Sequence, residues 1–213
     1  MASSEKHIEA KTILVFAVIA LAAVALAWFI FAPKSEDYET TGNGSTTSPV
    51  TANGTFYSNQ DMAFSVTVPV GFTVDESYIN QNLGPGREIP GIAFKIPASV
   101  AAGTNLSADS KVSVEELSDV DCMPADFLYQ PRSSAPVAIG SNRFIVATSA
   151  DAGAGNIYEE TVYVTERGSR CYAVRYFIHY GNIGNYPAGA VKEFDRAALV
   201  RSFDAITASL RLI

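Results

Sequence analysis

The chain has 213 residues, a formal net charge of −7 and a hydrophobic fraction of 48%. This acidic balance disfavours nucleic acid and anionic lipid head groups as partners, because both carry negative charge themselves. Two histidines and two cysteines leave a zinc site short of ligands, and we predict neither a metal site nor a cofactor.

The first predicted element is a membrane span. Residues 12–32 form a run of 21 residues without a charged side chain. As a helix rising about 1.5 Å per residue, this run would span roughly 30 Å, the thickness of the hydrocarbon core of a bilayer. Lys6 and Lys11 precede the run, whereas acidic residues follow it. The positive-inside rule therefore predicts that residues 1–11 are a cytoplasmic tail and that the C-terminal part lies outside.

A cleavable signal peptide is the alternative interpretation of the same run. Ala25 and Ala27 form a small-x-small pair that would place a cut before Trp28. However, the apolar run continues to Ala32, beyond the roughly 7 to 15 residues of a signal-peptide core. We favour an uncleaved, single-pass anchor, and under either interpretation the body of the protein is exported.

Two regions follow the predicted span. Residues 33–55 are rich in Ser, Thr, Gly and Asn, a composition that favours a flexible linker. Residues 56–213 have the composition of one globular domain. Period-two alternation and many aromatic and β-branched residues predict six strands there. They are residues 62–68, 91–96, 111–117, 142–149, 156–166 and 170–180. The last two would form a hairpin through a loop at residues 167–169, and residues 124–128 a short helix.

The last predicted element is a helix that begins after Asp195, a favourable N-cap residue. Its apolar residues fall on one face at helical spacing and should lie on the sheet. They are Leu199, Phe203, Ile206 and Leu210. An antiparallel sheet with a helical layer is an α+β domain.

Several short motifs of this domain resemble those of PsbP-like domains. They are the segment FSVTVPVGF at residues 64–72, the segments 103–107 and 112–115, and EFD at residues 193–195 followed by the terminal helix. The chain is thus similar to uncharacterised membrane-anchored bacterial proteins with this kind of domain. The resemblance implies an α/β/α sandwich around an antiparallel sheet, a bacterial inner (cytoplasmic) membrane location with the domain in the periplasm or outside, and a binding or assembly role.

Cys122 and Cys171 are the two cysteines, and both belong to the exported domain. In an oxidising compartment such a pair favours a disulfide, whose loop of about 50 residues would contribute roughly 4 kcal/mol. The alternative is a nucleophile paired with His179. Cys171 and His179 would lie about 26 Å apart along one strand at about 3.3 Å per residue, and no signature supports a pair of Cys122 with His179.

The strand at residues 170–180 carries the candidate ligand site. Arg175 and His179 share one strand face, and a polar, glycine-bearing loop follows from Tyr180 to Tyr186. We predict that Arg175, His179, Tyr180 and Tyr186 contribute to a ligand groove, because recognition often lies on loops held by a rigid scaffold. The alternative is that Arg175 and His179 cover the sheet edge or satisfy internal partners.

The functional expectation is a non-catalytic, membrane-tethered binding or assembly module with a partner in the envelope or membrane and no nucleic acid partner. No catalytic motif is present in the sequence. One alternative is an envelope-acting hydrolase that uses acidic residues such as Glu115, Glu159 or Asp195. Another is the ligand-sensing ectodomain of a membrane complex. A structure without a concave pocket would favour the assembly role over both alternatives.

Overall fold

A computed structural model describes residues 54–213, which contain eleven strands and three α-helices. The strands are β1 (Gly54–Asn59), β2 (Phe64–Pro69), β3 (Thr73–Asp75), β4 (Ile79–Asn80), β5 (Ile89–Lys95), β6 (Lys111–Ser118), β7 (Arg132–Ile139), β8 (Asn142–Gly153), β9 (Asn156–Arg167), β10 (Arg170–Gly181) and β11 (Arg211–Leu212). The helices are α1 (Ala98–Ala101), α2 (Pro124–Phe127) and α3 (Arg196–Ser209), with a 3₁₀ turn at Ile183–Asn185.

The predicted cytoplasmic tail, the predicted span and all but the last two residues of the predicted linker lie outside the described residues. Within residues 54–213, no helix has the length and hydrophobicity needed to cross a membrane. The predicted linker boundary falls inside β1, since Gly54 and Thr55 pair with Pro69 and Val68 of β2.

The strands form two antiparallel sheets. The larger sheet has the order β3-β5-β6-β10-β9-β8-β7, with β4 beside β5, and the smaller sheet has the order β1-β2-β11. The hairpin between β9 and β10 turns at Gly168 and Ser169, with Arg167 paired to Arg170. Gly168 has a φ of +64°, as the first central residue of a type II′ turn requires.

The main core lies between one face of the larger sheet, the smaller sheet and helix α3. Asp195 caps the helix as predicted, since its Oδ1 accepts a hydrogen bond from the Ala198 amide at 2.8 Å. The predicted apolar stripe of α3 is buried against Phe64 of β2 and Tyr176 of β10. Each such buried side chain contributes about 1.5–3 kcal/mol through removal from water.

The opposite face of the larger sheet, which we call the outer face, is closed over part of its area by the segment from Cys122 to Leu128. The predicted Cys122–Cys171 disulfide is confirmed, with 5.3 Å between the two Cα atoms, and it joins this segment to β10. Phe127 and Leu128 are buried there against Val164 and neighbouring residues of the sheet. Helix α2 confirms the short helix predicted at residues 124–128.

The predicted α/β/α sandwich is wrong. Strands account for 51% and helices for 16% of the described residues, so the domain consists mostly of antiparallel β-sheet. Helix α3 covers one face of the larger sheet, whereas the four-residue helix α2 and the disulfide-linked segment lie on the other. The apolar stripe of α3 provides one helical layer, whereas the other α-helices within residues 54–213 have only four residues each and cannot form a second.

Candidate functional site

The outer face of the larger sheet divides into an apolar half and a polar half. Along β10 the outward-facing residues are first Cys171 and Ala173, which are buried beneath the disulfide-linked segment. Arg175 comes next, and Phe177 and His179 follow in the polar half, where they are partly exposed. The change from covered to uncovered sheet therefore occurs at Arg175.

Arg175 is the centre of a buried ion network. Its side chain is 1% exposed and that of Glu115 is 0% exposed. The guanidinium donates two parallel hydrogen bonds to Glu115, at 2.8 Å to Oε1 and 2.9 Å to Oε2, and it also donates to Glu160 and to the Phe127 carbonyl. Burial disfavours the charged guanidinium, but the charge and hydrogen bonds of Glu115 together with the charge of Glu160 outweigh this cost, and the pKa of Arg175 is raised.

Three further groups complete the coordination of Glu115. Glu115 Oε1 accepts hydrogen bonds from Ser113 Oγ at 2.8 Å, from Tyr78 OH at 3.3 Å and from Asn80 Nδ2 at 3.4 Å. Burial, together with the negative charge of Glu115, raises the pKa of Tyr78 above its usual range, so Tyr78 remains a donor. The network is charged but saturated, and it forms a rigid boundary between the two halves of the outer face.

A groove of about 560 Å³ lies beside this boundary in the polar half. The β9–β10 register places Glu160 opposite Phe177 and Tyr158 opposite His179, which brings these side chains to the outer face. Tyr158 stacks on His179 with 4.4 Å between ring centroids. The residues lining the groove are Asn82, Tyr129, Gln130, Arg132, Ser149, Ala150, Asp151, Tyr158, Glu160 and Phe177.

A lysine lies over the ring of Phe177, one of the groove residues. Lys111 Nζ lies 4.3 Å from the centroid of the Phe177 ring and 5.5 Å from that of Tyr78, which is cation–π geometry. Burial lowers the pKa of Lys111, and the charge of Asp109 opposes this shift. The ring of Phe177 is thereby held in place at the groove floor.

The structure brings two of the four predicted site residues to the same face. Arg175 lies beneath the groove and donates a hydrogen bond to Glu160, which lines it. His179 lies beside it, where Nδ1 is 2.9 Å from Asp109 Oδ1, while its buried Nε2 has no hydrogen-bond partner within residues 54–213.

The other two predicted residues lie elsewhere. Tyr180 faces the side of helix α3, where its hydroxyl donates to Glu159 at 2.8 Å and its ring packs near Phe194. The Tyr186 hydroxyl end lies against Gly181 and occupies the space that a Cβ there would need. Neither residue is among those that line the groove.

The carboxylates named for a hydrolase also lie outside the groove lining. Glu115 is enclosed by the ion network. Glu159 interacts with Tyr180 and pairs with Arg196, and Asp195 caps helix α3. In the part of the chain that the structure describes, no group of three or more His, Cys, Asp or Glu side chains is arranged to hold a metal ion.

Most residues of the groove were not among those predicted from the sequence, although the sequence contains a signal for two of them. Tyr158 and Glu160 alternate on one strand, so they share a face. Once Arg167 is paired with Arg170, the antiparallel register places them next to His179 and Phe177. The contribution of Tyr129 and Arg132 from the far edge of the sheet has no comparable local signal.

Comparison with known proteins adds little to this description. No protein-family model matches the sequence, and no curated protein resembles it. A crystal structure of a protein from Bacteroides thetaiotaomicron VPI-5482 aligns with 71% of this chain, with a TM-score of 0.44 and 13% sequence identity. The match spans 45% of that protein. A likeness at this level carries no argument about function, and the PsbP-like resemblance stays a prediction.

Proposed function

We propose that the domain is a non-catalytic binding module, tethered to the outside of a bacterial inner membrane, and that its ligand occupies the groove on the outer face. The observation that supports this function is the uncovered polar half of that face. There, aromatic rings and polar side chains surround about 560 Å³, whereas the apolar half of the same face is closed. Concave sites with a few convergent polar groups are typical of ligand binding.

The groove is also held in a fixed shape before any ligand arrives. Its floor is formed by β8, β9 and β10, which are neighbouring, hydrogen-bonded strands of the larger sheet. The Arg175 network fixes Glu160 from below. A pre-organised site loses little conformational entropy on binding, which favours affinity.

The contacts of the groove favour binding over acid–base catalysis. Glu160 accepts hydrogen bonds from Arg175 and from Asn82, so its carboxylate is already engaged. A general acid or base needs to exchange a proton with the reacting group, and a carboxylate tied to a buried guanidinium is poorly suited to this task.

The predicted anchor and linker give this function a location. A linker of this composition and length has an r.m.s. reach of about 25 Å. Such a tether would raise the effective concentration of the domain toward ligands and partner proteins at the same membrane. The concave groove favours a ligand-binding role over assembly alone.

Site-specific photo-crosslinking in the cells that produce the protein tests the proposal. A benzoylphenylalanine in place of Tyr129, which is 64% exposed at the groove rim, should give an adduct on irradiation. A matched probe in place of Phe56, which is 71% exposed on β1, serves as the control. Adducts of the same kind and yield at both positions, or none at Tyr129, would refute the proposal.

A further inference from the structure

The groove and the charged side chains around it carry no excess of positive charge. Three cationic side chains face four anionic ones in this region, and two of the anionic ones, Glu115 and Glu160, are already paired with Arg175. A site without excess positive charge has no electrostatic preference for an anionic ligand. The cations are Arg132, Lys111 and Arg175, and the anions are Asp109, Asp151, Glu115 and Glu160.

Aromatic rings border the groove, with His179 stacked on one face of Tyr158 and Lys111 over one face of Phe177. The centroids of Tyr158 and Phe177 are 6.3 Å apart with 33° between the ring planes, and Tyr129 adds an exposed ring at the rim. The C–H face of a pyranose packs against such rings, because it is apolar and bears a slight positive charge that suits the negative face of the ring.

The polar rim offers both donors and acceptors. Gln130 and Arg132 donate, while the exposed carboxylate of Asp151 accepts. Each hydroxyl of a sugar both donates and accepts, so a mixed rim of this kind matches it. A phosphate or sulfate would instead meet carboxylates, which repel it.

A peptide fits the groove less well. Strand β9 is paired with β8 and β10 along the floor, so strand addition could use only the end of β8 beyond Thr148, which β7 does not reach. The apolar half of the outer face, which would accept apolar side chains, is filled by Phe127 and Leu128. Charge, rings and rim together favour one chemical class.

We infer that the groove binds an uncharged glycan chain, whose sugar rings pack on Tyr158 and Phe177 while their hydroxyls bond to the rim; this inference rests on the proposed function. The test is isothermal titration calorimetry on the full-length chain in a detergent without sugar head groups. The probes are hexasaccharides of glucose, mannose and N-acetylglucosamine in β- and α-linked forms. Hexagalacturonate and hexalysine are the charged comparators.

Four variants assign any binding to the groove. Tyr158→Ala should weaken the binding of the neutral hexasaccharide by about tenfold, near the upper end for one aromatic contact, whereas Tyr158→Phe keeps the ring and should stay within about threefold. Asp151→Ala removes an exposed rim acceptor and should weaken binding by about fivefold. Phe56→Ala, on the smaller sheet, should leave it unchanged. Asp151→Ala keeps the test valid if Tyr158→Ala unfolds.

The outcomes separate this inference from the proposed function. The inference is supported if a neutral hexasaccharide binds and its affinity falls in Tyr158→Ala and Asp151→Ala but not in Phe56→Ala. Selective binding of hexagalacturonate or hexalysine overturns it while preserving a ligand-binding groove. No binding of any probe also overturns it, and the crosslinking at Tyr129 then decides whether the proposed function survives.

Discussion

Replacing Arg175 with Met should destabilise the domain severely, because it leaves a buried carboxylate without its cation. Glu115 is fully buried and receives two of the guanidinium hydrogen bonds, and the Phe127 carbonyl receives another. Removing one member of such a pair typically costs about 3–5 kcal/mol. Three remaining donors to Glu115 soften the loss, and we expect a value within that range.

Urea unfolding followed by near-ultraviolet circular dichroism measures this cost. With a denaturant slope near 2 kcal/mol/M, the expected loss lowers the unfolding midpoint by about 1.5–2.5 M. Arg170→Met is the matched control, since Arg170 lies on the same strand but makes a partly exposed ion pair with Glu116. That variant should lose about 1 kcal/mol or less.

A double-mutant cycle separates the ion pair from the packing of the two side chains. Glu115→Leu combined with Arg175→Met removes both charges, so the double variant should cost at least about 2 kcal/mol less than the sum of the two single variants. Additive losses, or a loss under about 1 kcal/mol for Arg175→Met alone, would refute the account of the network as a saturated, buried boundary.

Three further predictions concern other parts of the domain. Intact-mass analysis with alkylation should find two thiols only after reduction, and the reduced protein should be roughly 4 kcal/mol less stable; alkylation before reduction would contradict this. Gly140→Ala would place a Cβ 2.6 Å from a backbone oxygen of α3, and it should lower the free energy of unfolding by about 2–3 kcal/mol. Gly168→Ala, at a position with open space around it, should lower it by about 1 kcal/mol. Equal losses for the two variants in urea unfolding would contradict this prediction. The pKa of Asp75 is lowered to about 2, chiefly by the hydrogen bond from Lys95. Ionised Asp75 therefore stabilises the folded domain, and this contribution is complete above about pH 4 and lost as the pH falls toward about 2. Asp75→Asn should reduce the dependence of the free energy of unfolding on pH over that range. An unchanged dependence would refute this prediction.

The parts of the fold that sequence predicted correctly have strong local patterns. Helix α3 combines a capping Asp195 with an apolar stripe. Strand β10 alternates between two buried faces, with Tyr172 and Val174 on the side of α3 and Cys171 and Ala173 on the outer face. Strand β7 was missed because nearly all of its residues are exposed and it contains Pro136, as suits a sheet edge.

The groove depended on register, which sequence did not fix. A three-residue loop after Glu166 would place Phe177 opposite Glu159, whereas the two-residue turn places it opposite Glu160. A shift of one residue exchanges the two faces of a strand, so the three-residue loop would bring Glu159 instead of Glu160 to the outer face. The contact between Arg175 and Glu115 joins residues 60 positions apart, beyond the reach of local patterns.

The position of the Arg175 network on the outer face has a consequence for how this domain can diversify. The network separates the residues that hold the disulfide-linked segment in place from those that line the groove. Exposed groove residues such as Tyr129, Arg132 and Asp151 make no contribution to either apolar cluster. Exchanging them would change ligand preference at little expense in stability, which makes this half of the sheet a scaffold for engineered specificity.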